Sequence, residues 1–146
     1  MEPQATENPE MKPQVNASKR KSEIDEIAAK VVQAAYAVAN TLGVGFLEKV
    51  YENALAHELR LLGLRVIQQA EIKVRYKGVV VGDYLGDLLV EDTVLVELKV
   101  ARTLDDIHRA QCMNYLRATD LPLCLLINFG NPVVEVRRIA HKMPKE

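Results

Sequence analysis

The chain has few of the residues that staple, anchor or coat. Its only cysteines are Cys112 and Cys124. They stand in neither a CxxC pair nor a His-rich neighbourhood, which argues against a structural zinc or iron–sulfur site. Free cysteine is usually interior, so both are expected as reduced, buried thiols of a cytoplasmic protein. No apolar run reaches the ~18 residues of a membrane span. The opening stretch MEPQATENPEMKPQ has no apolar h-region, so secretion is not supported either. Charge of one sign is missing too: 19 basic residues face 20 acidic ones, for a net −1. That excludes a polycationic nucleic-acid coater but leaves room for a local basic groove. No GxGxxG follows a strand, so no Rossmann-type enzyme with an organic cofactor is expected. There is no internal repeat.

What remains is an ordinary globular composition, 49% hydrophobic and 27% charged over 146 residues. This length fits a single domain that buries roughly two-thirds of its unfolded surface without staples. Residues 1–21 are rich in Pro, Glu, Gln, Asn and Lys and are expected as a disordered tail, with the domain over 22–142 and a short tail over 143–146. Ser22 and Asp25 have capping-box form and predict a helix from Ser22 that ends at Gly43. A second helix is expected over 45–62, stopped by Gly63. The period then shortens to two, predicting strands over 65–69, 71–76, 79–85, 87–90 and 94–100. Thr103 as N-cap predicts a third helix to about Ala118, followed by strands over 123–128 and 133–139. The order implies an α/β fold, a central mixed sheet flanked by helices.

Chemistry concentrates between Asp87 and Lys99. If Glu91-Asp92-Thr93 closes a three-residue hairpin, Val90 faces Val94 and Asp87 faces Glu97. Directly opposed residues have Cβ atoms about 4.5–5.5 Å apart. Residues two apart share a strand face, so Lys99 lies beside Glu97. One face of the hairpin is then apolar, with Leu88, Val90, Val94, Val96, Leu98 and Val100. The other carries Leu89 and Leu95, then Asp87, Glu97 and Lys99 at the open end. Two carboxylates ~5 Å apart repel by roughly 3 kcal/mol at an effective dielectric of 20. A divalent cation, Mg²⁺ or Mn²⁺, removes that cost. The alternative is an edge strand in which Lys99 simply pairs with Glu97, and spacing alone leaves both open.

With these residues in hand, the chain resembles the GxxExxY protein family, a small branch of the PD-(D/E)XK nuclease-like superfamily. The name-giving motif is matched by Gly45-Phe46-Leu47-Glu48-Lys49-Val50-Tyr51, and the superfamily signature by Asp87 followed by Glu97-Leu98-Lys99. Gln111-Cys112-Met113-Asn114-Tyr115 resembles the QxxxY element of some members, and Asn128-Phe129-Gly130 fits the turn before the last strand. The resemblance spans roughly residues 23–140; Gly86 replaces the motif proline. It implies a restriction-endonuclease-like αβββαβ core. It also implies Asp87 and Glu97 as metal ligands, with the Leu98 carbonyl as a third, Lys99 as the catalytic lysine, and Glu48 as the helix carboxylate, with Glu52 a competitor.

Several other residues bear on the site. Glu48 and Tyr51 share a helix face. Gln111, Tyr115 and His108 form one stripe on the third helix, with Leu104, Ile107 and Ala110 free to face the core. The stripe either holds a phosphate or water or packs on the sheet. His108 is expected at the surface rather than on a metal. Lys73, Arg75 and Lys77 alternate along one strand and are the best candidates for nucleic-acid backbone contact, with Arg102 and Arg109 nearer the site. Two functions follow: a metal-dependent nuclease-like enzyme, or a non-catalytic module binding nucleic acid or a partner protein. A homodimer would enlarge the small surface.

Overall fold

The computed structural model describes residues 19–145, so the tail expected over residues 1–21 lies largely outside the described residues. The first helix, α1 (Lys21–Leu42), sets its apolar stripe, Ile24, Ile27, Val31, Ala35 and Val38, into the core. Its N-cap is Arg20 rather than Ser22: the Arg20 N–H donates to the Glu23 carboxylate at 2.7 Å. The carboxylate half of a capping box is thus supplied earlier in the chain than expected, and Asp25 instead pairs with Lys21 at 2.9 Å. Gly43, at φ 72°, ends the helix as expected. The second helix, α2 (Glu48–Leu61), starts three residues later than 45, because Gly45 at φ 111° and extended Leu47 cannot be helical.

The strands are β1 (Val66–Tyr76), β2 (Val79–Val90), β3 (Val94–Lys99), β4 (Leu123–Asn128) and β5 (Glu135–Ala140). The breaks expected at residues 70 and 86 do not occur, so two long strands replace four short ones. α3 (Asp106–Thr119) begins after Asp105, not Thr103; the Asp105 carboxylate accepts from the N–H groups of Ile107 at 3.2 Å and His108 at 3.4 Å. The sheet has five strands in chain order, β1-β2-β3-β4-β5. All neighbours are antiparallel except β3 and β4, which are parallel and joined by α3 as the crossover.

Helices on both faces give two cores. Leu88, Val90, Val96 and Leu98 pack with α1 and α2; Leu95, Cys124, Leu126 and Ile139 pack with Cys112, Tyr115 and Leu116 of α3. Both cysteines are free and buried, as expected. Burial on both faces explains why β3 reads as a nearly unbroken apolar run interrupted by one acid. Met143, expected in the C-terminal tail, packs against the first core. No helix among the described residues is long and apolar enough to cross a membrane.

Candidate active site

The β2–β3 hairpin closes through Glu91-Asp92-Thr93, and its ladder pairs Val90 with Val94, Leu89 with Leu95 and Leu88 with Val96. The next pair in register is Asp87 and Glu97, the opposition that period two predicts. There the side chains take over from the backbone. The Asp87 N–H donates to Glu97 Oε2 at 2.9 Å, and the Leu98 N–H donates to Asp87 Oδ2 at 2.8 Å. Each acid is thereby clasped by the other's strand.

Glu97 is only 5% exposed, and its second oxygen, Oε1, has no hydrogen-bond donor among the described residues. Burial first, and the Asp87 charge second, push its carboxyl up to about 8. Asp87 is half-buried, and loss of hydration raises its carboxyl against the pull of the Leu98 N–H. Glu48 opens α2 at an exposed position; lost hydration and the Asp87 charge raise it, while Lys99 lowers it. These four residues therefore sit within each other's electrostatic reach. Lys99, at the end of β3, makes no ion pair with Glu97 or any other carboxylate among the described residues. The simple Glu97–Lys99 pairing considered from spacing is absent.

Glu52 sits in a different setting from Glu48. It is buried, and its oxygens accept from Lys49 Nζ at 2.9 Å, Gln68 Nε2 at 2.9 Å and Gln69 Nε2 at 2.8 Å. Burial alone raises such an acid, but the three donors together outweigh it and lower its carboxyl. Its oxygens are occupied, whereas those of Glu48 are open.

Tyr51 explains the rest of the Gly45–Tyr51 motif. Its ring stacks on Phe129 at 4.8 Å, and its hydroxyl donates to the Gly43 carbonyl at 2.6 Å while accepting from the Phe46 N–H at 3.3 Å. The loop before α2 is so tied down that Glu48 is delivered to the open end of the hairpin. On the far side, Phe129 N–H donates to the Lys99 carbonyl at 2.9 Å. Asn128 Oδ1 accepts from Ala101 and Gly130, and its Nδ2 donates back to the Ala101 carbonyl. The end of β3 is thereby pinned.

On α3, Gln111 is half-buried and Tyr115 nearly buried, on the face of the helix that meets the sheet. Burial, then the Glu97 charge, pushes the Tyr115 hydroxyl up to about 12. Tyr84 of β2 leans on Tyr115 with ring centroids 5.6 Å apart. Ile107 and Ala110 face solvent, contrary to expectation, because the polar stripe is the face that meets the sheet. His108 caps its own helix, Nδ1 accepting from the Asp105 N–H at 3.3 Å.

The basic stripe is less regular than alternation suggests. Lys73 pairs with Asp83 at 2.7 Å, a register shift separates Val74 from Arg75, and Lys77 lies in the following turn, 5.4 Å over the Tyr76 ring. Arg102 is exposed in the loop after β3.

β2 changes the face it presents to the helices part-way along its length. Tyr84 meets α3, yet Leu88, four residues on, packs under α1 and α2. Strict alternation would put both on one face. The switch falls where the ladder, intact at Ala70–Gly86 and Gln68–Leu88, skips Gln69 and Asp87; Gln69 there has φ 55°.

Among the described residues no group of three or more His, Cys, Asp and Glu side chains is gathered closely enough to hold a metal ion. The donor chemistry nevertheless fits a hard divalent cation, since a buried carboxylate oxygen without a donor lies beside a second carboxylate.

One family profile spans the residues of this site. The profile described as the PD-(D/E)XK nuclease superfamily matches residues 25–139. No curated protein matches the chain. The crystal structure of SSO0001 is similar at 18% identity and a TM-score of 0.48, over 86% of this chain and 60% of that one, so the chain spans less than two-thirds of that protein. The profile covers α1 almost from its start through β5, including both clasped acids and Lys99, and on that match the chain belongs to the PD-(D/E)XK nuclease superfamily.

Proposed function

We propose that the protein is a divalent-metal-dependent nuclease of the GxxExxY branch, hydrolysing phosphodiester bonds of nucleic acid. The observation that carries this is the clasp: two acids from adjacent strands are locked together by reciprocal backbone bonds, beside a lysine that pairs with neither. A strand built for stability alone gains nothing from setting a buried acid opposite a second one, because each disfavours the other's charge.

Mg²⁺ or Mn²⁺ would be held by Asp87 and Glu97, with Glu48 and the Leu98 carbonyl as further ligands. The chemistry such an ion would supply there is Lewis-acid polarisation of a phosphodiester and activation of a water. The chain's own residues do the rest. Lys99 orients the attacking water or offsets charge growing on the phosphate. Gln111 and Tyr115 border the site from α3 and steady a phosphate oxygen or water. Lys73, Arg75, Lys77 and Arg102 contact the nucleic-acid backbone. Gly45 at φ 111°, Glu48 in the first turn of α2 and Tyr51 locking the loop supply a physical reason for the GxxExxY spacing.

A screen on single- and double-stranded DNA and RNA tests this. Wild-type protein cleaves with Mg²⁺ or Mn²⁺ and not in EDTA. Lys99→Ala loses roughly 10²–10⁴ of the rate, the range of positioned proton-transfer groups, while the metal still raises the melting temperature. Cleavage by Lys99→Ala at the wild-type rate would remove Lys99 from the mechanism. The lack of a gathered three-ligand group among the described residues favours a second reading, a non-catalytic module of the same fold. That module would bind nucleic acid or a partner without metal-dependent cleavage.

A further inference from the structure

Leu47 breaks two local rules at once. It is the N-cap of α2, a place that favours Ser, Thr, Asp or Asn because their side chains accept a helix N–H; here no side chain does so. It is also 79% exposed, and so forgoes the stabilisation that burial gives a leucine. Phe46 beside it is 47% exposed, and Val44 and Val50 face water as well. Glu48, the carboxylate that α2 brings towards the hairpin acids, stands among these four. Single exposed apolar side chains are ordinary, but a cluster of them marks a contact surface.

The loop that carries the cluster is fastened. Gly43 and Gly45 take positive φ, 72° and 111°, and the Tyr51 hydroxyl donates to the Gly43 carbonyl and accepts from the Phe46 N–H. The Phe46 ring meets Tyr51 edge-on at 6.2 Å, Tyr51 stacks on Phe129, and the Phe129 N–H donates to the Lys99 carbonyl. One aromatic row therefore leads from the exposed loop to the end of β3. Side chains held outward before contact lose less freedom on binding.

Chemistry and charge select the occupant. An undistorted duplex keeps its base faces inside the stack and turns phosphates outward, so apolar side chains gain nothing from it. Unpaired bases expose apolar π-faces, on which aromatic and aliphatic side chains pack. The net charge of −1 leaves little surplus for holding a duplex through its phosphates alone. We infer that Phe46 and Leu47 form a base-binding rim beside the active site, and that the substrate carries unpaired nucleotides next to the bond that is cut. The cut rests on the nuclease proposal; the base contact does not, and binding in EDTA reads it alone.

The test is Leu47→Ser in the full chain, titrated in EDTA by fluorescence anisotropy. The probes are a labelled single strand, as DNA and as RNA, the DNA strand with abasic nucleotides, and the DNA duplex. Serine is the better N-cap, so the melting temperature is expected to hold or rise. Affinity for the single strand is expected to fall roughly tenfold, the scale of a lost base contact, and Phe46→Ser lowers it as well. The abasic strand, with the same phosphates, binds wild type and variants to the same extent, and duplex binding does not change. If Phe46→Ser fails to fold, Leu47→Ser still decides. Unchanged single-strand affinity in Leu47→Ser, or an equal fall on the abasic strand and the duplex, overturns the inference. So does a wild type that binds no single strand, including one whose mass in solution halves on Leu47→Ser, which gives the rim to a second copy. Bases bound by the rim in a strand that Mn²⁺ never causes to be cut uphold the rim and count against the nuclease. Cleavage by a wild type indifferent to abasic nucleotides does the reverse.

Discussion

Glu97 is the residue on which the electrostatics turn. One of its oxygens takes the Asp87 N–H, the other has no donor among the described residues, and water scarcely reaches either. Its carboxyl rises from 4.5 to about 8, so the folded protein holds a proton there that the unfolded chain has released. The sign follows from linkage: this group stabilises the fold fully below about 4.5, and that contribution drains away as pH climbs through about 8. Asp87 and Glu48 are raised as well and lean the same way. In EDTA, Glu97→Gln is therefore expected to match wild type near pH 5 and to melt higher near pH 9, by an amount on the order of a few kcal/mol in stability. Thermal melts across that range check it, and a difference independent of pH would contradict the buried-acid picture. Asp87→Asn with Glu97→Gln extends the test. Its metal-free melting temperature should equal or exceed that of wild type, while the metal response, which grows as RT ln(1 + [L]/Kd), disappears. A destabilised double mutant beside a metal-blind wild type would sink the nuclease proposal.

Two elements are held to the hairpin by loops rather than by the sheet. Tyr51 ties the entry of α2 to Phe129, and Phe129 ties back to the Lys99 carbonyl, so the helix carrying Glu48 and the strand carrying Lys99 share one aromatic stack. Gly130 lets this happen, because a Cβ there would collide with the backbone of Ala101. Backbone cannot swing aside as a side-chain tip can. Gly130→Ala is expected to cost about 1–3 kcal/mol in urea denaturation, the usual range for overpacking, and to disturb the Lys99 end of β3 before the hairpin turn. A neutral Gly130→Ala would mean that the loop after β4 can move away freely. Gly86 behaves differently: its Cβ would meet the Leu95 methyl at 2.7 Å and lie 3.4 Å from Glu97 Oε2. Glycine in the proline position of the motif therefore leaves room for the Leu95 and Ile72 side chains that pack beside the clasped acid.

At the scale of the whole molecule, the charge is nearly balanced and part of it is spent internally. Arg138 of β5 pairs with Asp25 of α1, and Lys73 with Asp83. Nucleic-acid binding should therefore be modest and fall steeply with salt, because neutralising phosphates releases counterions. Replacing Lys73, Arg75 and Lys77 together by Ala is expected to flatten the plot of log affinity against log salt by about 0.7–0.9 for each phosphate that is no longer neutralised. Fluorescence-anisotropy titrations from low to moderate salt measure this. An unchanged slope would place the nucleic-acid groove away from the β1–β2 turn.

The local rules of the chain settle a good part of this. Gly43 and Gly63 end the first two helices, and the Glu91-Asp92-Thr93 turn sets the register that opposes Asp87 to Glu97, because a hairpin of fixed loop length leaves no freedom in pairing. The two-faced burial of β3 is also visible in its composition. Other features depend on partners distant in sequence. Ser22 and Thr103 have the chemistry of N-caps, but Arg20 and Asp105 take those places once the helices are packed. Ala70 and Gly86 look like strand breaks, yet they pair with each other and carry the strands through. Glu48 and Glu52 are indistinguishable by residue type and lie one turn apart; only the arrival of Gln68 and Gln69 from β1 occupies one and leaves the other open. Hydrophobic period and turn chemistry act over a few residues and so determine elements and register. A left-handed kink inside a strand, the donors around a buried acid and the face presented by α3 are decided by contacts that exist only after the sheet has assembled.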